Sequence, residues 1–165
     1  MLRVDTADRD IDIIEARGNA SLQFLAGIAG TGTDLARRHK VYLDIVTVAH
    51  VPEDYSERLL DVFTGEFQNL RLKAFERHDL ALAKLGRNAD HDREDVKRLA
   101  AGPGLDPELL RHRYESELRF QFGRPESADL TLEFWIEMIK EVQEVQAHQG
   151  PDRAVLRPLN RSKIQ

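Results

Sequence analysis

The segment Asp8-Arg9-Asp10-Ile11-Asp12-Ile13-Ile14 decides how the chain is read. Its apolar residues alternate and then run together, and Gly18-Asn19 closes the segment as a turn does, so it predicts a short strand. Residues two apart on a strand share a face, which sets Asp10 and Asp12 side by side. Two carboxylates that close repel. Either the strand end is solvated, or a hard divalent cation compensates, and Mg²⁺ takes one or two carboxylates together with phosphate oxygens.

Working outward, residues 20–28 place Leu22, Phe24, Leu25 and Ile28 at helical spacing, and residues 33–39 resume as a second short helix. Gly27, Gly30 and Gly32 between them read as a glycine turn; they form neither G-x-G-x-x-G nor a P-loop with its Lys-Ser/Thr. Residues 41–48, Val-Tyr-Leu-Asp-Ile-Val-Thr-Val, are rich in β-branched residues and nearly all apolar, which predicts a strand covered on both faces. Asp44 is the exception. A buried carboxylate there needs a partner, either a helix N-terminus or an Arg, or else a place in a metal site. Two strands presenting Asp10, Asp12 and Asp44 to one point would suit two-metal phosphoryl or nucleotidyl transfer. Residues 67–75 alternate and predict an exposed, edge-type strand.

From His78 onward the pattern turns helical, over roughly 78–88, 91–101, 106–122 and 127–148. Asp106-Pro107-Glu108 supplies a cap, a proline at the first helical position and an early acid. In the last helix Ala128, Leu132, Trp135, Ile139 and Val142 make one apolar stripe, read as core packing with a coiled-coil surface as the alternative. Residues 150–165 read as an irregular basic tail.

Composition bounds the chemistry. With 165 residues, 41% of them apolar, 32% charged and a net charge of −5, the chain is long enough to bury its own core without a staple. The absence of cysteine excludes disulfides, Cys-bound zinc, iron–sulfur clusters and thiol nucleophiles, and fits a cytoplasmic location. No apolar run approaches a membrane span, and Met1-Leu2-Arg3-Val4-Asp5 does not open a signal peptide. None of the six histidines lies three or four from another, and no G-x-S-x-G elbow occurs.

A second polar set lies in the helical half. Leu80, Lys84 and Asn88 share a helix face, as do Asp92, Asp95, Val96 and Leu99 on the next helix. An inward-leaning Lys beside two first-turn acids forms either a pocket for phosphate or base, or a structural ion pair between neighbouring helices.

Together, Thr6-Ala7-Asp8-Arg9-Asp10-Ile11-Asp12, Asp44 and the block Asp79-Leu80-Ala81-Leu82-Ala83-Lys84-Leu85-x-Arg87-Asn88-x-x-x-Asp92-Arg93-x-Asp95-Val96 resemble the nucleotidyltransferase-like superfamily. The likeness spans roughly residues 3–101 and is nearest to its prokaryotic, uncharacterised branch, similar to AbiEii-type toxins of toxin–antitoxin systems. It implies metal binding by Asp10, Asp12 and Asp44. It implies catalytic roles for Asp44, Lys84, Asp92 and Asp95, and a nucleotide beside Lys84, Arg87 and Asn88. The family's Gly-Gly or Gly-Ser phosphate turn ahead of D-x-D is missing from the nine residues before Asp10, which implies an N-terminally short or degenerate member. An open sheet edge would then be covered by a second copy in a homodimer.

The expected fold is therefore α+β: a small mixed sheet with flanking helices, then a helical C-terminal part. Residues 1–101 form the nucleotidyltransferase-like core, 102–149 a helical extension and 150–165 the tail. The expected activity moves a nucleoside monophosphate from Mg²⁺–NTP to an RNA or protein acceptor. The alternative is a non-catalytic interaction protein such as a toxin–antitoxin component.

Overall fold

The computed structural model describes residues 10–13, 19–46, 50–68 and 71–149. Expectations for Asp8, Arg9, Ile14, the Gly18 turn, Thr47, Val48, Leu70 and the tail lie outside these residues. The chain is α+β and divides into two compact units, Met1–Ala49 and His50–Gln165.

The first unit is a β-α-α-β arrangement. Strand β1 (Asp10–Ile13) runs parallel to β2 (Tyr42–Ile45), and the backbone N–H of Val46 extends the ladder to Ile13 O at 3.0 Å. A parallel pair needs a crossover, supplied here by helices α1 (Asn19–Ala29) and α2 (Asp34–His39), both packed against β2. Thr33 caps α2, its Oγ1 accepting from Ala36 N at 3.2 Å, and Lys40 ends the helix in the left-handed region at φ 55°. Gly30 bridges to Leu43 on β2. A Cβ there would lie 2.4 Å from Ala26 O, so only glycine lets the chain turn off α1 and reach the strand. Gly27 lies within α1, and the turn proper is Gly30 to Gly32, the last at φ 82°.

β2 departs from the expectation of a strand covered on both faces. It is four residues long, with Tyr42, Leu43 and Ile45 half-buried and Asp44 exposed. Among the described residues α1 and α2 pack against this strand and leave the Asp44 side chain in solvent.

The second unit opens with a 3-10 turn (Tyr55–Glu57) and an antiparallel pair, β3 (Leu60–Val62) with β4 (Leu72–Ala74). Among the described residues of the expected strand at 67–75, which leave out 69–70, only β4 (Leu72–Ala74) is strand. Its partner β3 was not foreseen, because Leu60-Asp61-Val62 is too short to show a period. Helices α3 (Arg77–Leu85), α4 (Asp90–Ala101), α5 (Pro107–Arg113) and α6 (Glu126–Gln149) follow. The helix expected at 106–122 is α only to Arg113. It continues as a π-helical turn over Tyr114–Leu118 and a 3-10 turn over Arg119–Gln121.

The core of this unit lies among these helices. Leu132, Trp135 and Ile139 of α6 meet Val96 and Ala100 of α4, Leu82 and Leu85 of α3, Leu110 of α5, and Tyr114 and Leu118 just after it. The α6 stripe read from sequence is thus core packing, each large side chain contributing roughly 1.5–3 kcal/mol by leaving water. Among the described residues no helix is long and apolar enough to cross a membrane.

Candidate functional site

Residue placement in the first unit is set by the parallel ladder. Asp12 is the register partner of Asp44, and Asp10 that of Tyr42. Residues opposite one another in a ladder share a face, and alternate residues of one strand do too, so Asp10, Asp12 and Asp44 occupy one face of the pair. The side chains of Asp10 and Asp12 lie outside the described structure, so their placement rests on backbone register. Of the three, the side chain described is that of Asp44, which is exposed; a carboxylate oxygen is the kind of donor a hard cation such as Mg²⁺ takes.

Between α1 and α2 lies an open groove of about 520 Å³ lined by Gly27, Ile28, Thr33, Leu35, Arg37 and Arg38, among others. Arg37 pairs with Asp34 one turn earlier.

In the second unit, Lys84, Arg87, Asn88, Asp92 and Asp95 are brought together where α3 gives way to α4. Lys84 Nζ lies 2.8 Å from Asp95 Oδ2 and 3.5 Å from Asp92 Oδ1. Arg87 clasps Asp92 with Nε at 2.9 Å and Nη2 at 2.6 Å. Asp92 is wholly buried. It stands at the third position of α4 and accepts the backbone N–H of Ala89 at 2.9 Å, one half of a capping box. Burial works to raise its pKa. The bonds from Arg87 and Ala89, with the charges of Arg87 and Lys84, outweigh that and hold it below the usual carboxylate range. Asn88, at φ 45°, accepts from Arg93 Nε at 3.2 Å and donates to Thr131 Oγ1 at 3.3 Å. Arg98 also reaches Asp95, at 3.1 Å. Each acid therefore has at least two cationic neighbours, the arrangement of an interhelical ion-pair network.

Sequence reasoning missed a second buried network. Asp79, with 0% exposure, accepts Arg58 Nε at 2.8 Å and Nη2 at 3.1 Å, and Arg113 Nη1 at 3.0 Å. Arg58 also binds Glu117, at 2.6 and 3.2 Å, and Arg113 binds Glu76 at 2.7 Å. His78 Nε2 accepts the backbone N–H of Asp106 at 2.8 Å. That fixes the proton on Nδ1, which donates to Glu76 Oε1 at 2.8 Å. A sequence signal existed: Asp79 falls three residues before Leu82, on the apolar face of its helix. Its partners lie 21 and 34 residues away, beyond the reach of local spacing.

Among the described residues no group of three or more His, Cys, Asp or Glu side chains is assembled to hold a metal. The Asp10 and Asp12 side chains fall outside that set.

The α+β architecture, with Asp12 of β1 in register with Asp44 of β2, agrees with the nucleotidyltransferase-like class that the sequence resembles. The chain belongs to the family described as "Nucleotidyltransferase of unknown function (DUF6036)", whose model matches residues 2–143. No curated protein and no solved structure matches the chain.

Proposed function

We propose that this chain is a Mg²⁺-dependent nucleotidyltransferase that moves a nucleoside monophosphate from an NTP to a hydroxyl of an RNA or protein acceptor. The observation that supports it is the register of Asp12 with Asp44, with Asp10 on the same strand face. Asp10 and Asp12 are the residues that would hold Mg²⁺. Asp44, exposed to solvent, either adds a third oxygen ligand or takes the proton of the incoming hydroxyl. Bound there, Mg²⁺ would offset charge on the triphosphate. The acceptor oxygen forms a bond to the α-phosphorus as the bond to the bridging oxygen of pyrophosphate breaks.

The Lys84, Arg87, Asn88, Asp92 and Asp95 network first serves to join α3 to α4. Lys84→Met, compared with wild type at equal folded fraction, reads whether the Lys84 ammonium also serves nucleotide binding.

Calorimetric titration of Mg²⁺–ATP and Mg²⁺–GTP into the full chain tests the reading. Saturable binding that disappears in Asp10→Ala/Asp12→Ala and on chelation of Mg²⁺ supports it; no binding at millimolar nucleotide defeats it. That defeat would favour a second reading, a non-catalytic interaction protein such as a toxin–antitoxin component. Its support is Leu130 and Phe134, one turn apart on α6 and both exposed.

A further inference from the structure

The groove between α1 and α2 has a chemistry that the metal face does not use. Its floor is apolar and open. Ile28 and Leu35 line it and remain exposed at 43% and 40%, and Phe24, one turn back along α1 from Ile28, is 68% exposed. A Cβ at Gly27 or Gly32 would meet nothing within 4 Å, so a flat group can approach the backbone at both places. The wall is cationic. Arg37 and Arg38 line the groove, and His39 and Lys40 continue the basic run, all four exposed. Asp34 is the one acid in the lining, and it pairs with Arg37. In a chain of net charge −5 this is a local reversal of sign.

We propose that this groove binds single-stranded nucleic acid, with bases on the Phe24, Ile28 and Leu35 surface and phosphates on Arg37 and Arg38. Exposed aromatic and aliphatic surface beside arginines is the combination that tracks an unpaired strand, since every base offers a face to stack and every nucleotide a charge. Two features favour a strand over a lone nucleotide. The groove is open at the surface, and both its apolar and its basic rows extend past it, to Phe24 on one side and Lys40 on the other. Gly30, in the connection between the two helices that line the groove, pairs with Leu43 next to Asp44, so groove and strand belong to one unit. As the site of the acceptor, this assignment rests on the transferase reading; as a binding site, it stands without it.

The test is fluorescence anisotropy of a labelled, mixed-sequence single-stranded RNA with the full chain, in chelator and without nucleotide. We expect saturable binding whose affinity falls with salt at a logarithmic slope of roughly −1.4 to −2.8, as two to four phosphate contacts give. Arg37→Glu/Arg38→Glu and Gly27→Phe should each weaken it about tenfold or more. Gly27→Ala should leave it unchanged, because it adds one methyl to open space. Thermal melts identify any variant that is misfolded, and the Gly27 pair leaves the basic run intact. Asp10→Ala/Asp12→Ala should bind RNA as wild type does, so that loss of metal-dependent nucleotide binding and loss of this site are separable. The proposal is overturned by absent binding, or by equal affinity in wild type and both groove variants. Equal binding of a polyglutamate peptide, or stoichiometric displacement of the strand by free ATP, would overturn it as well.

Discussion

The guanidinium of Arg58 holds the carboxylate of Asp79 with two parallel bonds, Nε to Oδ2 at 2.8 Å and Nη2 to Oδ1 at 3.1 Å, inside the second unit. Removing Arg58 takes two of the three hydrogen bonds from the buried Asp79 carboxylate and leaves it Arg113 alone, at 3.0 Å. Arg58→Met should therefore lower unfolding stability by about 2–3 kcal/mol in urea titrations. The double variant Arg58→Met/Asp79→Leu should lose less than Arg58→Met alone, because the under-bonded buried carboxylate is gone.

The Asp92 network yields a contrast between two members of one cluster. Asp92→Ala removes the Ala89 N–H acceptor and the partner of Arg87 at a buried position, and should cost about 2–3 kcal/mol. Lys84→Met should cost no more than about 1 kcal/mol, since Asp92 keeps Arg87 and Asp95 keeps Arg98. Equal losses would refute the assignment of Asp92 as the keystone of the α3–α4 junction.

Acid should weaken the second unit for a definite reason. In Asp92, Glu76 and Glu117 burial works upward on the pKa but is outweighed by bonds from Arg87 to Asp92, from His78 and Arg113 to Glu76, and from Arg58 to Glu117. All three thus bind protons less readily folded than unfolded, where carboxyls titrate near about 4. Their stabilisation is complete above that value and drains as pH falls through their lower folded values. Melting temperature should hold steady near neutrality and drop below about pH 4.5.

The alkaline limb has the opposite sign. Burial, then the hydrogen bond its hydroxyl donates to Asp129 at 2.6 Å, pushes the Tyr114 phenol up. Its contribution is complete below the unfolded value of about 10 and is lost as pH rises further. Tyr114→Phe should flatten that loss, measured by melts across the alkaline range.

Trp135 is fully buried, and its indole N–H has no hydrogen-bond partner among the described residues. Trp135→Phe deletes that unsatisfied donor along with some packing, so it should cost well under the 3–5 kcal/mol typical of Trp135→Ala, roughly 1–2 kcal/mol. Denaturation curves of the two variants check the gap.

What the sequence made legible was local. The Asp10–Asp12 alternation marked β1, the Asp106-Pro107 start marked α5, and the 128–142 stripe identified the face of α6 that meets the core. Each is a pattern contained within a single strand, helix start or helix. The burial of Asp79, by contrast, depends on Arg58 and Arg113 arriving from distant segments, and β3 exists because Leu60 to Val62 finds Leu72 to Ala74 across a loop. The exposure of Asp44 was not legible, because whether an apolar run is enclosed depends on what packs over it and not on its own residues. Lys84, Asp92 and Asp95 were seen to converge because they lie on consecutive helices, and spacing alone did not separate ion-pair network from ligand site.

The π-helical turn at Tyr114–Leu118 holds one residue more than an α-helical path of the same height needs, with Arg119 N–H reaching back to Tyr114 O. Tyr114 and Leu118, four residues apart at its two ends, both face the core. Excising a single residue from it would let the helix run true, yet swing everything downstream by roughly 100°. Arg119 would turn from Asp129, and Gln121 from the Val51 carbonyl it now holds at 2.7 Å. In this chain, then, an irregularity that looks dispensable sets the angular phase of the whole segment leading into α6.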